Sequence, residues 1–396
     1  MIAIGLVAPK WLSSIAHADM VRTAHGGKPT SDTILVVCQL SGGNDGLNTV
    51  VPYADKKYYT FRPTLGLKED AVLKLNEKVA LHPGMTGLHG LFKAGKVAVI
   101  QNVGYPNSSR SHFRSMDIWQ LGSVDFNQKY GWLGRHFDAE AAIGPLNPVV
   151  ALGLSTEKPK ALVGKVASIP CFASLADVQN LLGDPDTEKM LRQIQGMDAM
   201  TGSATRVVQQ ASKTALDAMS ELKAKVSTYT PKGAYANDDF GNGFKQIAQL
   251  IATSPATRVV YFSAGGFDTH SKQADQHQKL LKGFSDAVTA FQGEMEAIGK
   301  ADKVIVLAFS EFGRRVEENA SQGTDHGSAG PMFLVGSRVK GGLYGPMADF
   351  DNLENGDVPF GVDFRSVYAT TLDGWMGGDS AVVLGQSFER LDALKK

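Results

Sequence analysis

Residues 33–45 read TILVVCQLSGGND, an apolar run that ends abruptly in glycines and polar side chains. A run that is apolar at every position, instead of every second one, suits a strand buried on both faces, as in a parallel sheet. The same pairing of strand and polar exit recurs down the chain. Residues 97–101 (VAVIQ) lead into Tyr105-Pro106-Asn107-Ser108-Ser109-Arg110-Ser111-His112. Residues 258–263 (RVVYFS) lead into Gly265-Gly266-Phe267-Asp268-Thr269-His270, and residues 303–309 (KVIVLAF) into Ser310-Glu311-Phe312-Gly313-Arg314-Arg315. Residues 149–154 and 332–335 are further strand candidates, and helical patterns cover 205–226, 240–252 and 273–298. This alternation predicts an α/β fold with a mostly parallel central sheet flanked by helices. The polar helical stretch 181–231 reads as an excursion from the core.

In open α/β sheets, ligands bind at the carboxyl ends of the strands. Four polar exits can therefore converge on one rim. A fifth cluster, Gly323-Thr324-Asp325-His326-Gly327, precedes a strand, so it must reach that rim by a loop.

Composition narrows the class. The chain has 396 residues, 43% of them hydrophobic, which is enough to bury a large core. Lys plus Arg equals Asp plus Glu at 40 each, so the basic excess expected of a nucleic-acid binder is missing. Residues 2–12 are mostly apolar, and Ala16-His17-Ala18 has the small-x-small form of a signal-peptidase site. We expect residues 1–18 to be an export signal, truncated because no basic segment precedes the apolar run. A polar lead-in over 19–32 and a single domain over 33–396 follow. The apolar run is too short for a stable membrane span, and the expected location is periplasmic or secreted. A short amphipathic helix packed on the domain is the alternative for this segment. Cys38 sits in an apolar run and Cys171 in a loop-like stretch; they could pair, but one pair is no disulfide framework.

Chemistry concentrates at the exits. Asp268 and His270, two residues apart, share a face at strand-like spacing. With His326 they make three nitrogen and oxygen donors suited to a divalent ion such as Zn, Mn, Mg or Ca. Asp45 and Glu311 are further oxygen donors, and Asp325 could ligate an ion or orient His326. The alternative is Asp268 as a turn or helix cap and His270 as a packed polar residue. Ser111 is the nucleophile candidate; it needs a base such as His112, or a metal, to activate it. The serines at 108, 109 and 111 could instead cap a helix starting near His112, whose N-terminus would favour an anion. Arg110 or Arg314 could hold a tetrahedral oxyanion, whereas Arg314 and Arg315 could also pair with Glu317 or Glu318. Asp363 and Arg365 read as a structural ion pair. His82, His89, His136 and His277 show no metal-like spacing.

The segments LSGGNDGLNTVVP (40–52), YPNSSRSHFRSMD (105–117), GGFDTHSKQ (265–273), FSEFGRRVEENASQGTDHGSAGPMFLVG (309–336), GGLYGP (341–346) and DFRSVYATTLDGW (363–375) resemble the secreted proteins of domain-of-unknown-function family 1501. The resemblance covers nearly all of the chain after about Thr33. It implies the alkaline phosphatase–sulfatase superfamily: a three-layer α/β sandwich and an exported metal-dependent hydrolase of a phosphate or sulfate ester. It also implies export, often by a twin-arginine signal, and a second secreted protein as partner. By the same resemblance a first ion would take Asp268, His270 and His326, and a second Asp45, Ser111 and Glu311. Two departures stand out: Phe312 follows Glu311 where the superfamily has His, and Gln39 and Ser41 stand where a carboxylate is usual. A one-metal enzyme, or a non-enzymatic secreted protein that binds a surface partner or polymer, stays open.

Overall fold

A computed structural model describes residues 32–181 and 203–395, with 186, 189 and 193 between them. The expected export signal, the lead-in as far as residue 31 and most of residues 182–202 of the expected excursion lie outside the described residues. Among the described residues, nine strands form the main sheet: β1 (Ile34–Leu40), β2 (Val97–Gly104), β3 (Ala151–Leu154), β4 (Cys171–Phe172), β5 (Val259–Ala264), β6 (Val304–Phe309), β7 (Gly330–Val335), β8 (Gly342–Tyr344) and β9 (Val362–Asp363). Their order is β8-β2-β7-β6-β1-β5-β3-β4, with β9 also on β2. Every pairing is parallel except those of β7, which runs antiparallel to both β2 and β6. Reversing β7 explains how residues 323–327 reach the rim, because the start of an antiparallel strand lies level with the ends of its parallel neighbours.

The sheet is covered on both faces, and the strands divide their side chains between two cores. Ile34, Val36, Cys38 and Leu40 of β1 pack on one side, together with Val304, Val306 and Ala308 of β6. Leu35 and Val37, with Ile305, Leu307 and Phe309, pack on the other. This is why the strand sequences lack alternation: both faces are dry. The first layer holds α5 (Ser203–Val226), α6 (Asp239–Thr253) and α7 (Gln273–Ala297). Leu216, Met219, Leu222 and Val226 of α5 lie in that core, so this part of the expected excursion packs against the domain. The second layer holds α2 (His112–Leu121), α3 (Trp132–Ala141) and α8 (Phe364–Thr371), after α1 (Thr86–Lys93) of the first layer in chain order; α4 is Leu175–Leu181. Trp119 stacks on Phe364 at 4.5 Å, and Trp132 on Tyr368 at 4.4 Å. Asp363 caps α8 and pairs with Arg365 at 2.6 Å, a structural ion pair. Cys38 and Cys171 are free thiols. No described helix is long and apolar enough to cross a membrane.

Beneath the rim, His277 of α7 is buried, with Nε2 3.0 Å from Asn44 Oδ1. His82 meets it edge-on at 5.7 Å between ring centroids. Burial pushes His277 down to about 3 and His82 down to about 4. Both rings are therefore neutral in the fold, whereas an unfolded histidine titrates near ~6.5. Below that value the unfolded chain takes up protons that the folded chain refuses. The histidine contribution is full above about pH 6.5 and is lost as pH falls toward the depressed values. The urea midpoint should drop between pH 6.5 and 4, and His277→Gln should flatten that drop. An unchanged slope in the variant would assign the acid sensitivity to other groups.

Candidate metal centre

Each exit delivers its side chain by a short, hydrogen-bonded route. The peptide of Phe267 donates to Ser41 O at 3.2 Å, tying the β5 exit to the β1 exit. Gly313 and Gly327, from the β6 exit and the loop before β7, are linked by a 2.9 Å bond. Gly42 adopts φ +121°, and a methyl group on it would lie 2.5 Å from the Asp268 nitrogen. Only glycine serves there, for both reasons.

Four side chains converge above these loops. His270 Nε2 and His326 Nε2 lie 2.9 Å apart, and each lies 3.1 Å from Asp268 Oδ1. His112 Nε2 is buried, makes no hydrogen bond and sits 3.5 Å from Asp268 Oδ2. One ligand atom each from His112, Asp268 and His326 fall within 4.8 Å of one another, a set that could hold a metal ion.

The far side of each imidazole fixes its tautomer. His112 Nδ1 faces Glu311 Oε1 at 2.9 Å, His270 Nδ1 faces Asp325 Oδ1 at 3.1 Å, and His326 Nδ1 faces the Arg110 carbonyl at 2.8 Å. Carboxylates and carbonyls only accept, so all three Nδ1 atoms carry the proton. The Nε2 atoms of His270 and His326 then present lone pairs to each other and to a carboxylate, and His112 Nε2 faces the same carboxylate at 3.5 Å. Lone pairs held at 2.9–3.1 Å repel unless positive charge lies among them. A single proton could bridge one pair but not the whole set. The spacing is close to the ~3.3 Å edge of a tetrahedron built on zinc–nitrogen bonds of about 2.0 Å. Nδ1 anchoring by oxygen acceptors is also the usual support for metal-binding histidines. The residues fit a divalent cation.

Electrostatics agree. Burial opposes the Asp268 charge, but contacts with Arg314 and His326 hold its carboxyl down at about 2. The hydrogen bond to Glu311 raises the basicity of His112. The bond from His270, and a second from Asn319, lower Asp325.

Several sequence-predicted residues stand elsewhere. Asp45 is fully buried and forms an ion pair with Arg62 at 2.5 Å, also accepting from Gln273 and from the Asn48 peptide. Its carboxylate is neutralised below the cluster, which corrects its expected role as a ligand. Glu311 is buried and accepts from Gly42 N at 2.9 Å as well as facing His112 Nδ1, so its carboxylate is engaged behind the His112 ring and not among the converging atoms. Asp325 likewise lies behind His270, not behind His326. Arg314 is no free oxyanion holder. It donates to the carbonyls of Gly42, Gly43, Phe267 and Thr324 and to Asp268 Oδ1 at 2.7 Å. The Arg110 side chain pairs with Asp357 at 2.5 Å. Ser111 occupies the N-cap position of α2 and is exposed, and its hydroxyl makes no cap hydrogen bond among the described residues. His112, expected as a base, joins the donor cluster. Arg62 carried no sequence signal at all, since its partner is 17 residues away, beyond two short helices and a strand.

The model for the family described as "Protein of unknown function (DUF1501)" matches residues 32–385. No curated protein matches the chain. Among solved structures it is similar to a protein in the alkaline phosphatase superfamily from Vibrio parahaemolyticus, at 10% identity and TM-score 0.41, over 96% of this chain and 79% of that one. It is similar to the PsFucS1 sulfatase from Pseudoalteromonas sp., at 9% identity and TM-score 0.36, over 97% and 75%. It is also similar to the C-terminal periplasmic domain of EcEptC from Escherichia coli in complex with Zn, at 9% identity and TM-score 0.35, over 77% and 73%.

Breaking a buried ion pair from one side leaves an uncompensated charge and costs about 3–5 kcal/mol. Asp45→Asn should therefore lower unfolding stability by about that amount in urea titrations. The folded variant should keep wild-type affinity for Zn²⁺. A loss of Zn²⁺ affinity without loss of stability would restore Asp45 to the ligand set.

Proposed function

The chain belongs to the family described as proteins of unknown function (DUF1501), and from the geometry of its centre we propose that it is an exported, cation-dependent hydrolase of a phosphate or sulfate ester. The observation that carries the reading is the convergence of three bare imidazole nitrogens on one carboxylate, each ring anchored behind by an oxygen. His112, Asp268, His270 and His326 would hold a single divalent ion. A nitrogen-rich donor set favours zinc over magnesium or calcium. The ion, when bound, supplies a Lewis acid for an ester oxygen and lowers the pKa of an attacking hydroxyl.

The chain's own groups divide the remaining work. Ser111 presents an exposed hydroxyl beside His112. Ser111 caps the N-terminus of α2, whose free peptide N–H groups and positive dipole end favour an anion. Arg110, partly exposed, is the arginine of the rim with room to exchange its carboxylate partner for a substrate oxygen. Export is supported by the Ala16-His17-Ala18 pattern.

Metal-stripped wild type titrated with Zn²⁺ should bind one equivalent. His112→Ala, His270→Ala and His326→Ala should each lose stoichiometric binding, and Glu311→Gln should weaken it about ten- to a hundredfold. The loaded protein should cleave p-nitrophenyl phosphate or p-nitrophenyl sulfate, and Ser111→Ala should not. Wild type that binds no Zn²⁺ sinks the reading. Tight binding with no turnover of either ester would leave a non-enzymatic cation-binding protein in its place.

A further inference from the structure

The three anchored imidazoles are not held equally well. His112 leans on Glu311, whose carboxylate is fully buried and is itself fixed by the Gly42 peptide. His326 leans on a main-chain carbonyl, which the fold holds rigidly. His270 leans on Asp325, whose side chain is 57% exposed. An exposed carboxylate–imidazole contact has little strength of its own, because solvent screens it and ordering both side chains costs entropy. Something else must hold Asp325 if His270 is to keep its orientation.

That group is Asn319. Its Nδ2 donates to Asp325 Oδ1 at 3.2 Å and to the His270 carbonyl at 2.9 Å. Its Oδ1 accepts from the peptide N–H groups of Ser321 at 2.9 Å and Gly323 at 3.1 Å. The partners decide which end of the amide is which: two peptide donors require the oxygen, and a carbonyl with a carboxylate requires the nitrogen. The backbone reinforces the arrangement. Asn319 N donates to Gly323 O at 2.8 Å, and the peptide of Gln273 donates to Gln322 O at 2.9 Å, so the 319–323 turn is clipped to the start of α7 beside His270. Gly323 lies against the His270 carbonyl so closely that a methyl group there would sit 2.2 Å from it.

We propose that Asn319 is a positioning residue for cation binding, acting through Asp325 to hold the His270 ring with Nε2 toward Asp268 and His326. The proposal rests on the reading of the centre as a cation site. Sequence reasoning passed over Asn319, since it lies six residues from Asp325 in a loop of ordinary polar composition.

Two substitutions separate positioning from loop closure. Asn319→Asp keeps both acceptor bonds to Ser321 and Gly323 but cannot donate, and it sets a like charge beside Asp325. Asn319→Ala removes everything. Affinity is read with Co²⁺ as the probe, by chelator competition, and the visible absorption spectrum of bound Co²⁺ reports the donor set directly. Asn319→Asp should unfold at the wild-type urea midpoint yet bind Co²⁺ about ten- to a hundredfold more weakly, with an altered spectrum. In an Asp325→Ala background, either substitution should add little further loss, because the two residues act in series. Wild-type Co²⁺ affinity in Asn319→Asp, or an equal further loss in the Asp325→Ala background, overturns the positioning role while leaving the cation centre standing. Wild type that fails to bind Co²⁺ overturns the cation reading and this proposal with it.

Discussion

The buried guanidinium of Arg314 closes the rim. It reaches four carbonyls and one carboxylate, drawn from the β1 exit, the β5 exit and the loop before β7. These segments are far apart in sequence, and each alone would expose unpaired peptide oxygens to a half-dry crevice. Unpaired buried polar groups are costly, and a guanidinium with its planar array of donors can satisfy several acceptors at once. Lysine could not, having a point charge and no fixed fork. Because one of the five acceptors is Asp268, the bond that organises the loops also sets the position and ionisation of the central carboxylate. Loop architecture and site electrostatics are one problem here, solved by one side chain.

The packing of Phe312 is a second consequence. It lies 4.8 Å from both His112 and His326 between ring centroids, and a methyl on Gly43 would strike its ring. Where the family resemblance led one to look for another imidazole, this chain has an apolar wall. Such a wall excludes water from one side of the donor cluster and restricts the two rings it touches. It also removes a donor from the neighbourhood of Asp45, whose charge Arg62 already neutralises. At two places where the resemblance pointed to a second cation the structure has ordinary protein contacts: Asp45 with Arg62, and Phe312 against two imidazoles.

The fold was legible because burial on both sheet faces leaves a plain sequence mark. The runs at 33–40, 258–263 and 303–309 sit within a residue of β1, β5 and β6, and the long helices near 205–226, 240–252 and 273–298 lie where their patterns put them. The convergence of exits was legible for a topological reason, since parallel strands end at one edge. What sequence could not yield was the direction of each side chain. Asp45 and Glu311 follow strands just as Asp268 does, yet one turns down to Arg62 and the other back to His112 and Gly42. Arg314 looks like a surface cation next to Glu317 and Glu318, and its acceptors come from three exits far apart in the sequence, with Thr324 on the loop that the reversal of β7 brings to the rim. His112 was read as a base because it adjoins Ser111, but its ring nitrogens face Glu311 and Asp268.

Charge also shapes the centre. Among groups in direct contact with the three imidazoles, Glu311, Asp268 and Asp325 are carboxylates. Arg314, on Asp268, is the cation that answers them. With neutral rings the contacting groups lack positive charge, although Arg315 also acts on Asp325. Protonating the imidazoles could supply that charge, but the protons would have to sit on Nε2 atoms that already crowd one another. A divalent ion held among the donors would supply positive charge and leave every Nδ1 bond in place.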